Sequence, residues 1–359
     1  MQNTINISEL RASVSMFTKS NTPRALIIFA IDMAIYIASF FGIILFESLA
    51  MKLLCSIVFG LKMASLFVIA HDAAHDSYTE NKLLNRVIGR LAFLTSFHNF
   101  SLWLIAHNRK HHQLTNLQGV NSWSPLSKSD YDKLPIWRQK LERFYRTPAG
   151  ISLNYLVERW WKDKFFPYQR LIKDKEKHLV YWLDFSLVST FLFAQIIFWS
   201  YIGFYSNQYS VLGMLTLGIF IPMIVFCFLV GFSVYQQHTH EQVPWFKTRS
   251  ERDQYGHVED ITVHVRYPKW YNVVSHNVME HTAHHVDPRI PLYHLPAAQV
   301  VIMELLGDDM MTISFSFQDT LLTMKRCKLY DYDNHCWLDF NGDRTSDYLL
   351  DQQQFAIAA

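Results

Sequence analysis

Histidine is the residue type whose number and spacing in this chain could support chemistry. The chain has 359 residues and 17 histidines, eight of which fall in three short motifs. The motifs are HDAAH with His71 and His75, HNRKHH with His107, His111 and His112, and HTAHH with His281, His284 and His285. Side chains three or four residues apart share a face of an α-helix, so each motif could offer several imidazoles to one metal ion. The spacing therefore predicts metal binding.

The number of imidazoles indicates more than one ion. Imidazole is a ligand for zinc, copper, iron and nickel. A structural zinc takes four ligands and a catalytic zinc usually three protein ligands. Eight histidines are thus too many for one ion and enough for two. Two redox-active irons with open coordination positions could activate O₂ and attack an inert C–H bond.

Four long apolar stretches must position these motifs. A helix that crosses a bilayer needs about 20 mostly apolar residues. The sequence predicts four such helices, at about 25–48, 52–70, 179–204 and 210–235. Short turns join them as two hairpins, which return the chain to the same side of the membrane each time. All three motifs then lie on one face, two of them beside a membrane helix.

The distribution of charge orients this arrangement. Residues 71–178 contain 18 Lys and Arg residues, whereas the two hairpin turns contain only Lys52. The positive-inside rule then places the charged face in the cytoplasm. The predicted fold is an all-α integral membrane protein with four transmembrane helices in two hairpins and a cytoplasmic helical domain that carries the histidine-rich metal site. We expect a cytoplasmic N-terminal segment at 1–24, a membrane domain at 25–335 and a C-terminal tail at 336–359.

The composition excludes several other classes of protein. The net charge of +2 gives no reason to expect a nucleic-acid partner. The four cysteines form no CxxC pair, which favours free thiols over a disulfide or thiolate-metal scaffold. The first twenty residues are polar and lack the apolar core of a secretory signal peptide, so we expect them to remain on the mature protein.

Longer stretches around the motifs resemble a known family. They are WLIAHNRKHHQLTN around the second motif, YQQHTHE after the fourth apolar stretch, and SHNVMEHTAHHVDPRIPLYHLPAAQ around the third motif. Over roughly residues 40–340 the chain resembles the membrane fatty acid desaturases, whose three histidine boxes occur in this order around two membrane hairpins. The resemblance is greatest to the acyl-lipid, delta-12 or omega type.

The resemblance implies a set of metal ligands that is larger than the eight box histidines. A ninth histidine ligand of the family maps to His238, with His240 as the rival. His276, Asp72 and Glu280 are further candidates, either as ligands or as neighbours that orient a ligating imidazole. The implied cofactors are two iron ions, with O₂ as co-substrate.

The implied function is an oxygen-dependent fatty acyl desaturase that introduces a double bond into an acyl chain. Its implied partners are an acyl-lipid or acyl-CoA substrate, the lipid bilayer and a separate electron donor, ferredoxin or cytochrome b5, because the chain lacks the HPGG element of a fused cytochrome b5 domain. The expected location is a bacterial inner membrane or an equivalent membrane, with the histidine site on the cytoplasmic face. Two alternatives remain: a hydroxylase, ketolase or alkane monooxygenase of the same superfamily, and a non-enzymatic metal transport or storage protein.

Overall fold

The protein is mostly helical in a computed structural model that describes residues 6–120, 122–166, 178–255 and 261–350. In chain order the helices are α1 (Ile7–Val14), α2 (Thr22–Leu45), α3 (Leu49–Ala74), α4 (Lys82–Leu94), α5 (Phe100–Leu104), α6 (Lys128–Asp132), α7 (Ile136–Tyr145), α8 (Ile151–Asn154), α9 (His178–Tyr205), α10 (Val211–Leu215), α11 (Ile221–His238), α12 (Arg249–Tyr255), α13 (Lys269–Val274), α14 (His281–Val286), α15 (Leu295–Leu306) and α16 (Phe317–Arg326). Short π-helices, Ile105–His111, Tyr155–Phe165 and Thr216–Phe220, follow α5, α8 and α10.

The strands are short and lie outside the long helices. β1 (His264–Arg266) pairs in parallel with β2 (Thr312–Ser314), and β3 (Leu329–Asp331) pairs antiparallel with β4 (Cys336–Leu338). The second pair is well packed, because Tyr330 and Trp337 are fully buried. The packed region therefore extends into the first residues of the predicted tail, 336–359, whose last nine residues lie outside the described part of the chain.

The four predicted membrane helices are confirmed as helices long and apolar enough to cross a bilayer. They are Thr22–Leu45, Leu49–Ala74, Leu179–Tyr205 and Val211–His238. Many of their large apolar side chains point away from the protein, and Leu45, Phe193 and Phe204 are more than 60% exposed. In water such a surface would be unfavourable, whereas hydrocarbon tails match it.

Close packing between α3 and α11 forms the centre of the helical bundle. α2 and α11 both pack against α3, and α10 packs against α9. At Gly60 of α3 an added Cβ would lie 2.6 Å from the carbonyl oxygen of Pro222 and 2.8 Å from Cβ of Val225. The two helices are thus in contact through their backbones, which only glycine permits at this position.

Both central helices extend further than the apolar stretches do. α3 continues to Ala74, past the predicted end at residue 70, so His71 lies within the helix and His75 follows directly as its C-cap. α11 likewise continues to His238, past the predicted end at residue 235. The helices therefore carry their polar ends out of the apolar region without a break.

The N-terminal segment covers the helix that carries the third histidine motif. α1 packs against α14 and α15. The Arg11 side chain donates from Nε to the carbonyl oxygen of Val286 at 2.8 Å, and the backbone N–H of Asn21 donates to the Tyr293 hydroxyl at 2.7 Å. Residues 6–24 of the predicted N-terminal segment are therefore part of the packed structure around the histidines.

Candidate metal centre

Four separate segments bring the predicted ligands together. The end of α3 supplies His71 and His75, and the end of α11 supplies His238. The other two segments are the π-helix after α5 and the helix α14, which carry the second and third motifs. The site therefore forms only when α3, α11 and α14 are packed against one another.

The second motif lies on a π-helix, which the sequence analysis did not predict. Ile105–His111 is π-helical, and the backbone N–H of His112 donates to the carbonyl oxygen of His107, five residues earlier, at 3.2 Å. On an α-helix His112 would point about 100° away from His111. Here the wider turn brings Nε2 of His112 within 3.0 Å of Nε2 of His107. π-helical turns are rare and often occur at functional sites.

Nine histidines form two groups in which the ligand atoms all lie within 4.8 Å of one another. The first group contains His71, His75, His107, His112 and His284, and the second contains His111, His238, His281 and His285. The groups are adjacent, since the ring centroids of His112 and His285 are 4.7 Å apart. The geometry thus contains the eight motif histidines and His238, arranged as two neighbouring positions for an ion.

Several imidazole nitrogen atoms of different histidines face one another. A cation between them would satisfy more of these nitrogens than hydrogen bonds alone could. Nε2 of His238 lies 2.8 Å from Nε2 of His281, and Nε2 of His112 lies 3.1 Å from Nε2 of His284. In the described part of the chain, the buried Nε2 of His75 has no hydrogen-bond partner. A cation between such nitrogens would accept the lone pairs that no proton donor reaches.

Burial keeps six of the nine imidazoles neutral, as metal binding requires. Burial, reinforced by the neighbouring imidazoles, holds the pKa well below the usual value for His75, His107, His112, His281, His284 and His285. A neutral imidazole has one nitrogen lone pair that can bind a metal. The donor set is therefore suitable for the transition metals that imidazole binds, iron among them.

In two of the imidazoles, Nδ1 lies next to an oxygen atom that can fix the orientation of the ring. Nδ1 of His71 lies 3.0 Å from Oδ1 of Asp72, whose Oδ2 accepts the backbone N–H of Leu292. Nδ1 of His238 lies 3.2 Å from the carbonyl oxygen of Ile261. Such partners fix the tautomer, so that Nε2 keeps its lone pair toward the centre of the group.

The remaining candidate residues lie outside the two groups. His240 uses Nδ1 to accept the backbone N–H of Gln242 at 3.2 Å. His276 instead contacts Asp32 of α2 through Nε2. Oε1 of Glu280 accepts a hydrogen bond from Asn272 at 3.0 Å. Burial raises the pKa of Glu280 to about 7, although this hydrogen bond opposes the shift.

A cavity of about 340 Å³ borders the histidines. Its wall contains His71, His107, His281 and His284 together with Trp103, whose ring stacks on His107 at 4.1 Å between centroids. Apolar residues of α3 and α11, from Leu61 to Val68 and from Leu229 to Val234, form much of the remaining wall. This volume is in the usual range for sites that bind small molecules, and its lining suits an apolar chain.

The chain matches a known protein family and several individual proteins. The family model for fatty acid desaturases matches residues 18–316. The omega-6 fatty acid desaturase of spinach chloroplasts is 28% identical over 276 residues, which cover 77% of this chain and 59% of the relative. The sn-1 oleoyl-lipid 12-desaturase of Picosynechococcus is 27% identical over 290 residues, which cover 78% of this chain and 77% of the relative.

The name of a third relative mentions an electron donor, ferredoxin. The sn-1 acyl-lipid omega-3 desaturase (ferredoxin) of Synechocystis is 29% identical over 247 residues, which cover 68% of this chain and 65% of the relative. The matches thus span about three-fifths of the length of several relatives, the chloroplast proteins among them, and about three-quarters of the Picosynechococcus protein.

Proposed function

Because this chain belongs to the fatty acid desaturase family, we propose that it is an oxygen-dependent fatty acyl desaturase that introduces a double bond into an acyl chain. The observation that carries the proposal is the convergence of nine imidazoles, in two groups, beside a cavity that is otherwise largely apolar, with members of both groups in its wall. Each group would hold one iron ion through its histidines. When bound, the iron pair would activate O₂, which is the oxidant, toward unactivated methylenes.

The side chains of this protein would contribute positioning and protection. The apolar walls of α3 and α11 would hold the acyl chain so that one C–C bond lies beside His71, His107, His281 and His284. Holding a reactant in the correct geometry is itself a large part of catalysis. The same walls would exclude water from the reacting bond.

We also propose a membrane location, a lipid-derived substrate and a protein electron donor for the enzyme. The four apolar helices would cross the membrane as two hairpins, with the histidines on the cytoplasmic face of a bacterial inner membrane or an equivalent membrane. An acyl lipid or acyl-CoA would be the substrate. A separate ferredoxin or cytochrome b5 would deliver electrons, and the name of the Synechocystis relative favours ferredoxin.

The activity can be tested by lipid analysis of an expressing host. We expect gas chromatography with mass spectrometry to show fatty acids lighter by two mass units than those of a host without the gene. A gain of sixteen mass units would instead identify a hydroxylase or related oxygenase. Iron transport or storage with no lipid product would contradict any lipid-oxidising function.

The ligand assignment can be tested with a matched pair of histidine variants. His238→Ala should lower the iron content and reduce product at least about a hundredfold, because a ligand contributes more than an outer-shell partner does. His240→Ala should retain iron and activity, since its ring lies outside both groups. Iron content of the purified proteins and product yield are the measurements. The reverse result would assign the ninth ligand to His240.

His111→Ala and His284→Ala address the two groups separately. Each should abolish the product, because both ions are required. Each should also lower the iron content of the purified protein, as the groups contain different histidines. An expressed His284→Ala protein that still made the double bond would contradict the role of the third motif.

A further inference from the structure

One wall of the cavity carries charge. The π-helix Tyr155–Phe165 contributes Arg159, Asp163 and Lys164 to this wall. Nη1 of Arg159 donates to Oδ2 of Asp163 at 3.2 Å, so this carboxylate is engaged by the arginine. The helix therefore places two cations and one anion on the wall of a cavity that is otherwise largely apolar.

The Lys164 ammonium is held by aromatic rings. Its Nζ lies 5.8 Å from the ring centroid of Trp103 and 5.7 Å from that of Tyr155. Across the described residues, no carboxylate forms a salt bridge with it, and the neighbouring Asp163 pairs with Arg159. A ring face attracts the charge of an ammonium but does not replace the hydrogen-bond acceptors that its three N–H groups require.

The backbone around Lys164 is anchored, so its position is defined. Its carbonyl oxygen accepts the backbone N–H of Asn99 at 3.4 Å, and the Trp160 indole donates to the carbonyl oxygen of Phe97 at 2.8 Å. The neighbouring Trp161 is 46% exposed. Exposed tryptophan is typical of the zone where lipid headgroups meet the hydrocarbon. Lys164 thus lies on a helix suited to that zone, while its side chain reaches into the cavity.

The electrostatics also favour an anion at this wall. Burial lowers the pKa of Lys164 to about 8; Arg159 acts in the same direction and Asp163 opposes it, so Lys164 is still mostly charged at neutral pH. Placing a charge in an apolar cavity is costly unless a counter-ion joins it. A bound anion would supply the counter-ion and the hydrogen-bond acceptors at once.

We propose that Lys164, supported by Arg159, binds a phosphate group of the acyl carrier and thereby selects phosphate-bearing acyl substrates over neutral acyl lipids. This inference rests on the proposed desaturase function and specifies its substrate class. A phosphate could belong to a phospholipid headgroup or to coenzyme A. In both cases the acyl chain would extend from Lys164 along the apolar walls of α3 and α11.

The test compares three substrates that carry the same oleoyl chain. Vesicles would contain the iron-loaded protein with dioleoyl phosphatidylglycerol, oleoyl-CoA or the neutral dioleoyl monogalactosyldiacylglycerol, and ferredoxin with its reductase and NADPH would supply electrons. Lys164→Met should raise KM for at least one phosphate-bearing substrate about 10- to 100-fold, as expected for losing a charged hydrogen bond. Its kcat and its rate on the galactolipid should remain unchanged, and Lys164→Arg should restore much of the KM.

A neighbouring lysine provides the matched control. Lys162 is on the same helix, half exposed, and paired with Glu158 at 2.7 Å. Lys162→Met should leave KM unchanged for all three substrates. If Lys164→Met changed the rate on all three substrates equally, or left KM for both phosphate-bearing ones unchanged, the proposed phosphate site would be wrong.

A binding measurement separates this inference from the proposed function. Fluorescence anisotropy of an acyl-labelled phosphatidylglycerol and an acyl-labelled CoA needs no catalysis, and Lys164→Met should weaken binding of at least one of them. An inactive wild-type protein that still showed this loss would contradict the desaturase function but support the phosphate site. Active wild-type protein with unchanged binding in the variant would contradict the phosphate site alone.

Discussion

At the scale of single residues, Asp72 contacts a histidine of the candidate metal centre without belonging to either histidine group. Its carboxylate contacts Nδ1 of His71 and accepts the backbone N–H of Leu292. We expect Asp72→Asn to lower iron affinity or product yield about 10- to 100-fold, the usual effect of losing such a partner. Iron titration of the purified variant would measure this.

The control for Asp72 lies four residues further along the chain. Asp76 is exposed and has a φ of 57°, a conformation that asparagine also tolerates. Asp76→Asn should therefore leave iron binding unchanged. Equal iron affinity in both variants would show that the carboxylate of Asp72 does not orient His71.

Some residues of the site could be predicted from the sequence and others could not. The spacing of the three motifs was sufficient to select eight of the nine grouped histidines as candidate ligands, but not to divide them between the groups, since His107 and His111 would share a face of an α-helix and yet lie in different groups. The choice between His238 and His240 depends on where α11 ends, and helix ends are not determined by apolar content alone. Lys164 gave no signal, since a lysine in a basic, aromatic segment usually faces solvent.

At the scale of secondary-structure elements, the contact between α3 and α11 joins the two helices that line much of the cavity. Gly60→Ala would place a methyl group within 2.6 Å of the Pro222 carbonyl oxygen. We expect this variant to lose about 1–3 kcal/mol of stability, the usual cost of overpacking, and to melt at a lower temperature in detergent. Thermal unfolding followed by tryptophan fluorescence would measure the shift.

A second glycine provides the comparison for Gly60. At Gly213 in α10 an added Cβ would meet its nearest neighbour at 3.5 Å, which is ordinary contact. Gly213→Ala should keep or slightly raise the melting temperature, because alanine favours the helix. If Gly60→Ala were as stable as Gly213→Ala, the backbones of α3 and α11 would have more room than the structure indicates.

The π-helix at Ile105–His111 is an element that could not be predicted from the sequence. The four long helices follow from apolar length, because the bilayer requires internal hydrogen bonding of the backbone. A π-helical turn has no comparable pattern in the sequence. Its own side chains bond to neighbouring helices: Asn108 donates to the carbonyl oxygen of Ala74, at the end of α3, at 2.9 Å. Tertiary contacts, rather than local preference, thus determine how His107 and His112 approach each other.

At the scale of the whole molecule, a largely buried charge cluster joins the first apolar helix to the segment that precedes the third histidine motif. Asp32 of α2 forms a salt bridge with Lys62 of α3 at 2.6 Å and also contacts His276, which precedes α14. The Ser65 hydroxyl adds a hydrogen bond to the carbonyl oxygen of Val274 at 2.9 Å. Asp32 was visible in the sequence as an acid within an apolar stretch, but its partner His276 is 244 residues away, and no local pattern connects them.

Replacing the Asp32 carboxylate of this cluster by an amide of similar size should lower the stability of the protein strongly. Asp32→Asn would leave Lys62, whose side chain is 13% exposed, without its counter-ion. Breaking a fully buried pair in this way costs about 3–5 kcal/mol, which is an upper bound for this partly buried one. We expect a much lower melting temperature and, because the segment before α14 loses its attachment to α2, a lower iron content. Asp32→Leu combined with Lys62→Met and His276→Gln should recover part of the stability, since no unpaired charge then remains.

A salt bridge on the surface provides the control, because it shows the effect of losing an ordinary exposed ion pair. Lys128 and Asp132 form a salt bridge at 2.5 Å, but the side chain of Asp132 is 52% exposed. Asp132→Asn should change the melting temperature little, because exposed pairs contribute at most about 1 kcal/mol. If Asp32→Asn were equally mild and retained its iron, the cluster would not connect α2 to the metal centre, and the position of α14 would depend on α1 and α15 instead.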